Sequence, residues 1–141
     1  MDQIIEFVGN HPFLSAGWVA LFVLIIYSYV AGVFSPVKEL STHEATILMN
    51  REDAVVLDVR PAAEYNKGHI LGAKQLKAEQ ISKADFSTLE KFKDKPIIVV
   101  CAMGMSAKKT ATALLKAGFT SVSVLKGGMN SWQGASLPVT K

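Results

Sequence analysis

The sequence predicts a layered α/β domain with a central parallel sheet flanked by helices, preceded by one membrane-spanning helix. Three observations carry this reading. Phe7 to Val37 contains no Asp, Glu, Lys or Arg, and most of that stretch is apolar. Beyond it, short β-branched runs alternate with helix-forming stretches, and such alternation implies parallel pairing. The single cysteine, Cys101, stands where one of those runs ends, and sites in open α/β sheets lie at the carboxyl ends of strands.

The N-terminal element follows from length and composition. Phe13 to Phe34 reads FLSAGWVALFVLIIYSYVAGVF, 22 nearly unbroken apolar residues. At about 1.5 Å of rise per residue, a helix of this length covers the roughly 30 Å hydrocarbon core. Pro12 suits a first helical turn, and Trp18 towards one end with Tyr27 and Tyr29 towards the other resembles an aromatic belt. A cleaved signal peptide is the rival. Its basic leading flank is replaced here by Asp2 and Glu6, the run is too long, and no A-x-A site follows. The expectation is therefore a segment 1–37 holding a retained helix at about 13–34, and a soluble domain 38–141. With acidic residues before the run and Lys38 and Arg51 after it, the positive-inside rule places the soluble domain in the cytoplasm. The protein is then a single-pass protein of the inner (plasma) membrane. Lipid is one partner, and an integral membrane protein is a candidate second.

Within the soluble part, Ser41 and Glu44 form a capping-box pattern, so a helix is expected from Thr42 to about Asn50. Ala54 to Val59 reads as a strand buried on both faces. Pro61 opens a short helix closed by Gly68, and helical patches cover Lys77–Lys83 and Asp85–Phe92. Ile97–Val100 is the strand before Cys101, and Ala107 to Ala117 is a helix with Gly118 past its end. Ser121–Leu125 is a further strand, followed by Gly127-Gly128 and a short helix around Ser131-Trp132.

Composition narrows the function. The chain has 141 residues, enough for one domain and little more. All 15 Lys and Arg lie at Lys38 or later, against 10 acidic residues in the same part. They are scattered, with no interleaved stacking aromatics, so a mildly basic surface near anionic lipid explains them better than nucleic-acid binding. One cysteine excludes an internal disulfide and fits a reducing compartment. Three scattered histidines and one cysteine give no metal constellation, and no cofactor is called for.

A thiol between a strand end and a helix N-terminus sees unpaired N–H groups and a positive helix end, which favour the nucleophilic thiolate. A buried cysteine acting as a small hydrophobe is the plainer reading. The small-residue loop after it, Ala102-Met103-Gly104-Met105-Ser106, favours the nucleophile.

The pieces Leu57-Asp58-Val59-Arg60, Glu64-Tyr65, Gly68-His69-Ile70, Gly72-Ala73, Cys101 with Gly104, and Val124-Leu125-Lys126-Gly127-Gly128 followed by Trp132 occur in order. In that order and spacing the chain resembles a single-domain rhodanese-like sulfurtransferase of the bacterial membrane-anchored type, over about Thr42 to Leu137. The resemblance implies a central parallel sheet and a catalytic Cys101. That cysteine would take a sulfane sulfur as a persulfide, from thiosulfate or another persulfide, and pass it to a thiol acceptor.

A persulfide is anionic, so its loop needs donors without bulk. Residues Ala102 to Ala107 form the expected substrate-binding loop. Gly104 lets successive N–H groups converge. Ser106 is read equally as the cap of the following helix and as a substrate contact. Relatives often carry Arg where Ala102 or Ser106 stands, so low or selective use of thiosulfate is expected. Met103 and Met105 are read first as packing under the loop, with an apolar acceptor or protein as the other assignment. Asp58 and Arg60 are expected to support the site, with Glu64 close enough in sequence for a salt bridge, and His69 to stabilise a turn. A cysteine phosphatase of the same fold needs Arg six positions after the cysteine, where Ala107 stands. The alternative to catalysis is a membrane-tethered rhodanese-fold module that binds a protein partner.

Overall fold

The three apolar runs expected as strands become the middle of one parallel sheet. The computed structural model describes residues 1–33 and 37–141. Its strands are β1 (Lys38–Leu40), β2 (Val55–Asp58), β3 (Lys74–Gln75), β4 (Ile97–Val100) and β5 (Val122–Leu125). They lie in the order β1-β5-β4-β2-β3, and every pairing is parallel. The helices are α1 (Asp2–Asn10), α2 (Pro12–Val33), α3 (Thr42–Arg51), α4 (Ala62–Lys67), α5 (Ala78–Ser82), α6 (Met105–Lys116) and α7 (Gly128–Gly134). The chain divides into two compact units, Met1–Ser35 and Pro36–Lys141.

In the first unit, α1 ends at Asn10, His11 caps it, and α2 begins at Pro12, one residue before the expected start. The side chains of α2 described from Phe13 to Ala31 are exposed, apart from a half-buried Ser15. The helix is long and apolar enough to cross a membrane. Phe34, the expected end of the span, lies outside the described residues.

In the second unit, strand alternation sorts the core onto two faces of the sheet. Ile97, Val99 and Cys101 join Leu57, Val122 and Val124 in one cluster, covered by Ala107, Ala111 and Leu114 of α6. Ile98 and Val100 join Val56 and Leu125 in the other, covered by Ala45 of α3 and by Met129 and Trp132 of α7. Every residue of β4 is buried because both faces are covered, which is why the run is continuously apolar rather than alternating. Helix α6 follows β4 on the first face, and Tyr65 of α4, which follows β2, packs on the second. The connections leave these neighbouring strands in opposite directions, so a crevice opens at their carboxyl ends.

Caps fix the helix ends. The Ser41 hydroxyl accepts from the Glu44 N–H at 3.1 Å, as the capping box predicts. Gly118, at φ +99°, closes α6 in the left-handed conformation expected there. Gly68 does not act this way. Its φ of 164° is extended, and its carbonyl serves another purpose described below.

Several expectations need correction. Strands β1 and β3 and helix α1 were not foreseen. β1 buries only Leu40 and β3 is two residues long, so neither carries an apolar run. Residues Ser87–Phe92 form a 3-10 helix rather than an α-helix, because Leu89 is their only buried side chain and too few residues are available for propagation. Helix α6 begins at Met105, two residues earlier than expected.

Candidate functional site

Cys101 is the first residue after β4, the middle strand of the five. Alternation along β4 turns its side chain to the face covered by α6, and it is only 3% exposed. Burial alone pushes a thiol pKa up, and here it is the largest single influence. The opposing donors win in sum. The Ser106 hydroxyl and the backbone N–H groups of Ala107, Gly104 and Met103 favour the thiolate and together hold its pKa below the ordinary thiol value. The Gly104 N–H donates to Sγ at 2.8 Å. A backbone donor on the sulfur, at the N-terminus of a 12-residue helix and among groups that favour the thiolate, makes a setting for a negative charge.

The curl of this loop requires glycine. Gly104 has φ +90°, and a β-carbon there would lie 3.0 Å from the Gly127 nitrogen. Both the left-handed backbone and the close approach exclude a side chain. Gly104 therefore occupies the N-cap position of α6, and Ser106 lies inside the first turn. The capping role expected for Ser106 is not observed, because the tight turn starts the helix early and leaves its hydroxyl to the sulfur.

The loop is clamped from its other side by α7. The Met129 N–H donates to the Cys101 carbonyl at 2.8 Å, and the Asn130 N–H to the Ala102 carbonyl at 3.0 Å. Gly128 precedes them at φ +58°, and a β-carbon on it would overlap the Cys101 carbonyl oxygen. The Gly127-Gly128 pair thus lets the N-terminus of a second helix reach the backbone of the loop. Sequence reasoning quoted this pair without giving it a role. Two consecutive glycines before a helix were the available signal.

Met103 and Met105 do not pack under the loop. They are 65% and 81% exposed, because the backbone N–H groups turn inward to the sulfur and these side chains turn out. Together with Glu39, Gly104, Lys108, Val124, Lys126 and Gly127 they line a groove of about 390 Å³ on the outer wall of the loop. Lys108 pairs with Glu39 across it. The two lysines and the glutamate were missed, because three separate elements bring them together.

Asp58 and Arg60 pair with each other, not with Glu64. The Asp58 carboxylate accepts from the Arg60 guanidinium at 2.7 to 3.1 Å and from the Arg60 N–H at 3.0 Å. The guanidinium also donates to the Gly68 carbonyl at 2.8 Å. Both side chains are buried, at 1% and 8% exposure. Asp58 ends β2, and the Val59 N–H bonds the Val100 carbonyl, so the pair braces the segment beside the start of the Cys101 loop. His69 stacks on Tyr65 at 3.9 Å between ring centroids, and its backbone bridges to Thr140. These contacts hold a turn. Among the described residues no group of three or more His, Cys, Asp or Glu side chains is arranged to hold a metal ion.

The order of these parts decides the family, since the rhodanese-like domain family matches residues 41–135. The chain belongs to the rhodanese-like family. Among its relatives is "Uncharacterized protein YibN" of Escherichia coli (strain K12), 45% identical over 141 residues, which span 100% of this chain and 99% of that protein. The thiosulfate sulfurtransferase GlpE of Pseudoalteromonas translucida is 38% identical over 98 residues, 70% of this chain and 90% of that protein. A rhodanese-related protein from Thermoplasma volcanium has a crystal structure that superimposes with a TM-score of 0.62 at 26% identity, over 73% of this chain and 97% of that one. The polysulfide-sulfur transferase homodimer of Wolinella succinogenes shares the fold, with a TM-score of 0.65 at 22% identity over 84% and 89% of the chains. The rhodanese-like match covers β4, the Cys101 loop and all of α7, and does not reach the apolar helix α2.

Proposed function

We propose that the protein is a membrane-anchored sulfurtransferase that carries a sulfane sulfur as a persulfide on Cys101. The family, and the relatives named thiosulfate sulfurtransferase, support a sulfurtransferase-type activity. The single observation that carries the finer reading is the Gly104 N–H donating to the Cys101 sulfur at 2.8 Å at the N-terminus of α6, where the surrounding polar groups lower the thiol pKa.

Those donors favour the thiolate, which attacks the outer sulfur of a donor such as thiosulfate. The S–S bond of thiosulfate breaks, sulfite leaves with the bonding electron pair, and Cys101 keeps the sulfur as a persulfide. The same N–H groups then face a terminal sulfur that is still anionic. A thiol acceptor, as its thiolate, attacks that terminal sulfur and returns Cys101 as the thiolate. The loop offers no guanidinium at Ala102 or Ser106, so neutral donors, backbone N–H groups and the Ser106 hydroxyl, hold the anion there, and selective donor use follows. Apolar α2 supplies the anchor, and Lys38 and Arg51 favour a cytoplasmic domain, where a reducing thiol pool keeps Cys101 free.

Incubation of the full-length protein in detergent with thiosulfate or a polysulfide, followed by intact-mass and peptide mapping, tests the chemistry. The expected product is one added sulfur on Cys101, absent from Cys101→Ser, with the Ser variant still folded. Sulfur transfer by that variant at the parent rate would overturn the mechanism. An unmodified Cys101 after exposure to several sulfane donors would favour the partner-binding reading, to which the exposed Met103 and Met105 lend themselves.

A further inference from the structure

The groove on the outer wall of the Cys101 loop has a charge pattern that the sulfur chemistry at the loop itself does not use. Its floor is the contact between Gly104 and Gly127, and Gly104 is also the residue whose N–H holds Sγ. Lys108 rises from α6, Lys126 follows β5, and Glu39 comes from β1. Glu39 bonds Lys108 and also feels Lys126, so one carboxylate faces two ammonium groups. The groove keeps an excess positive charge when Glu39 is in place. Its outer rim is apolar, formed by the exposed Met103 and Met105.

We propose that this groove is the acceptor subsite and that it selects small thiols bearing a carboxylate, with Lys126 and Lys108 as the recognition pair and Glu39 as the counter-ion that such an acceptor displaces. This rests on the sulfurtransferase reading above. The donor's anionic sulfur is already served by the loop N–H groups, which leaves the lysines to an anion bound beside the loop rather than within it. A volume of about 390 Å³ suits a small organic molecule and no folded domain. The methionine thioethers pack on the carbon stem while the thiolate reaches over Gly104. There it attacks the outer sulfur of the persulfide: one S–S bond breaks, another forms on the acceptor, and Cys101 leaves as the thiolate.

The experiment compares mercaptosuccinate with the neutral 2-mercaptoethanol as acceptor for the full-length protein in detergent. Lys126→Gln should lose about fivefold in kcat/KM for mercaptosuccinate, the scale of one surface ion pair, and stay unchanged with 2-mercaptoethanol. Lys108→Gln should lose at least as much, since it also frees Glu39. Glu39→Gln should move the same ratio in the opposite direction. Lys109→Gln, the same charge change one residue along α6, serves as the control. Opposite signs for the lysine and glutamate variants are a signature that a merely structural role does not produce. Equal losses with both acceptors, or an equal loss in Lys109→Gln, would overturn the assignment. So would a Lys126→Gln effect confined to persulfide formation from thiosulfate, which would mark a donor site. A second readout needs no turnover: the rate ratio of Cys101 alkylation by iodoacetate against iodoacetamide should fall in both lysine variants and rise in Glu39→Gln. If no acceptor receives sulfur but this ratio moves as stated, the sulfurtransferase reading fails while the anion groove stands. An unmoved ratio removes the groove.

Discussion

Gly128 and the Cys101 carbonyl oxygen are packed so closely that a β-carbon on Gly128 would overlap that oxygen. The backbone at Cys101 is therefore held by the start of α7, through the Met129 and Asn130 N–H groups, and not only by the loop's own turn. Gly128→Ala should destabilise the domain by about 2–4 kcal/mol, combining a left-handed backbone with a backbone clash that no rotamer relieves. Gly127→Ala meets mainly the Ser131 side chain, whose hydroxyl can turn away, so it should cost about 1–2 kcal/mol. Urea denaturation of both variants checks the order. Equal costs would show that α7 does not clamp the loop.

Asp58 and Arg60 form a buried, multiply bonded pair next to the loop. Asp58→Ala leaves a guanidinium buried with one carbonyl partner and should cost about 3–5 kcal/mol. The double variant Asp58→Leu/Arg60→Met removes both charges and should be less destabilised than Asp58→Ala alone. Thermal melts of the three proteins decide this, and a double variant worse than the single would contradict the pairing.

The donors around Cys101 make reactivity depend on pH in a defined direction. Its pKa is held below the ordinary thiol value, so alkylation by iodoacetamide should reach half its maximal rate at lower pH than for a free thiol. Ser106→Ala removes the strongest of the lowering contacts and should move that midpoint up, slowing alkylation at neutral pH about threefold. The same shift enters stability. A group whose folded pKa is depressed stabilises the fold above its unfolded pKa, and that contribution disappears as pH falls through the folded value. Ser106→Ala should therefore reduce stability at alkaline pH and leave it nearly unchanged at mildly acidic pH. A variant with the same alkylation profile as the parent would remove Ser106 from the site.

The apolar helix α2 lies outside the unit that holds the sheet. Among the described residues, both core clusters draw on Val37 and later positions. Deletion of residues 1–35, which leaves Val37 in the core, should yield a protein that remains in the supernatant after ultracentrifugation and melts cooperatively. The full chain should sediment with membranes and resist carbonate extraction. Protease added to intact spheroplasts should leave the domain uncut. Digestion from outside would reverse the orientation, and full-length protein in the soluble fraction would refute the anchor.

The sequence by itself determined what local pattern can carry. The uncharged run from Phe7 to Val37 marked α2, and the fully apolar Ile97–Val100 marked a strand covered on both faces, because a buried parallel strand has no polar side to show. Cys101 could be placed at that strand's end because the apolar run stops there, and Gly104 could be read as a turn because few residues but glycine take a positive φ freely. Only the tertiary structure decided the rest. Strands β1 and β3 exist through pairing with β5 and β2, not through any apolar run of their own. Ser106 lies in the first turn of α6, where it lowers the Cys101 pKa, in place of a helix cap, because α6 starts early at Met105. Glu39, Lys108 and Lys126 meet because parallel pairing sets β1 beside β5 and α6 above them. Contacts between residues dozens of positions apart leave no periodic trace in a sequence, since side-chain periodicity records only which face of its own element a residue occupies.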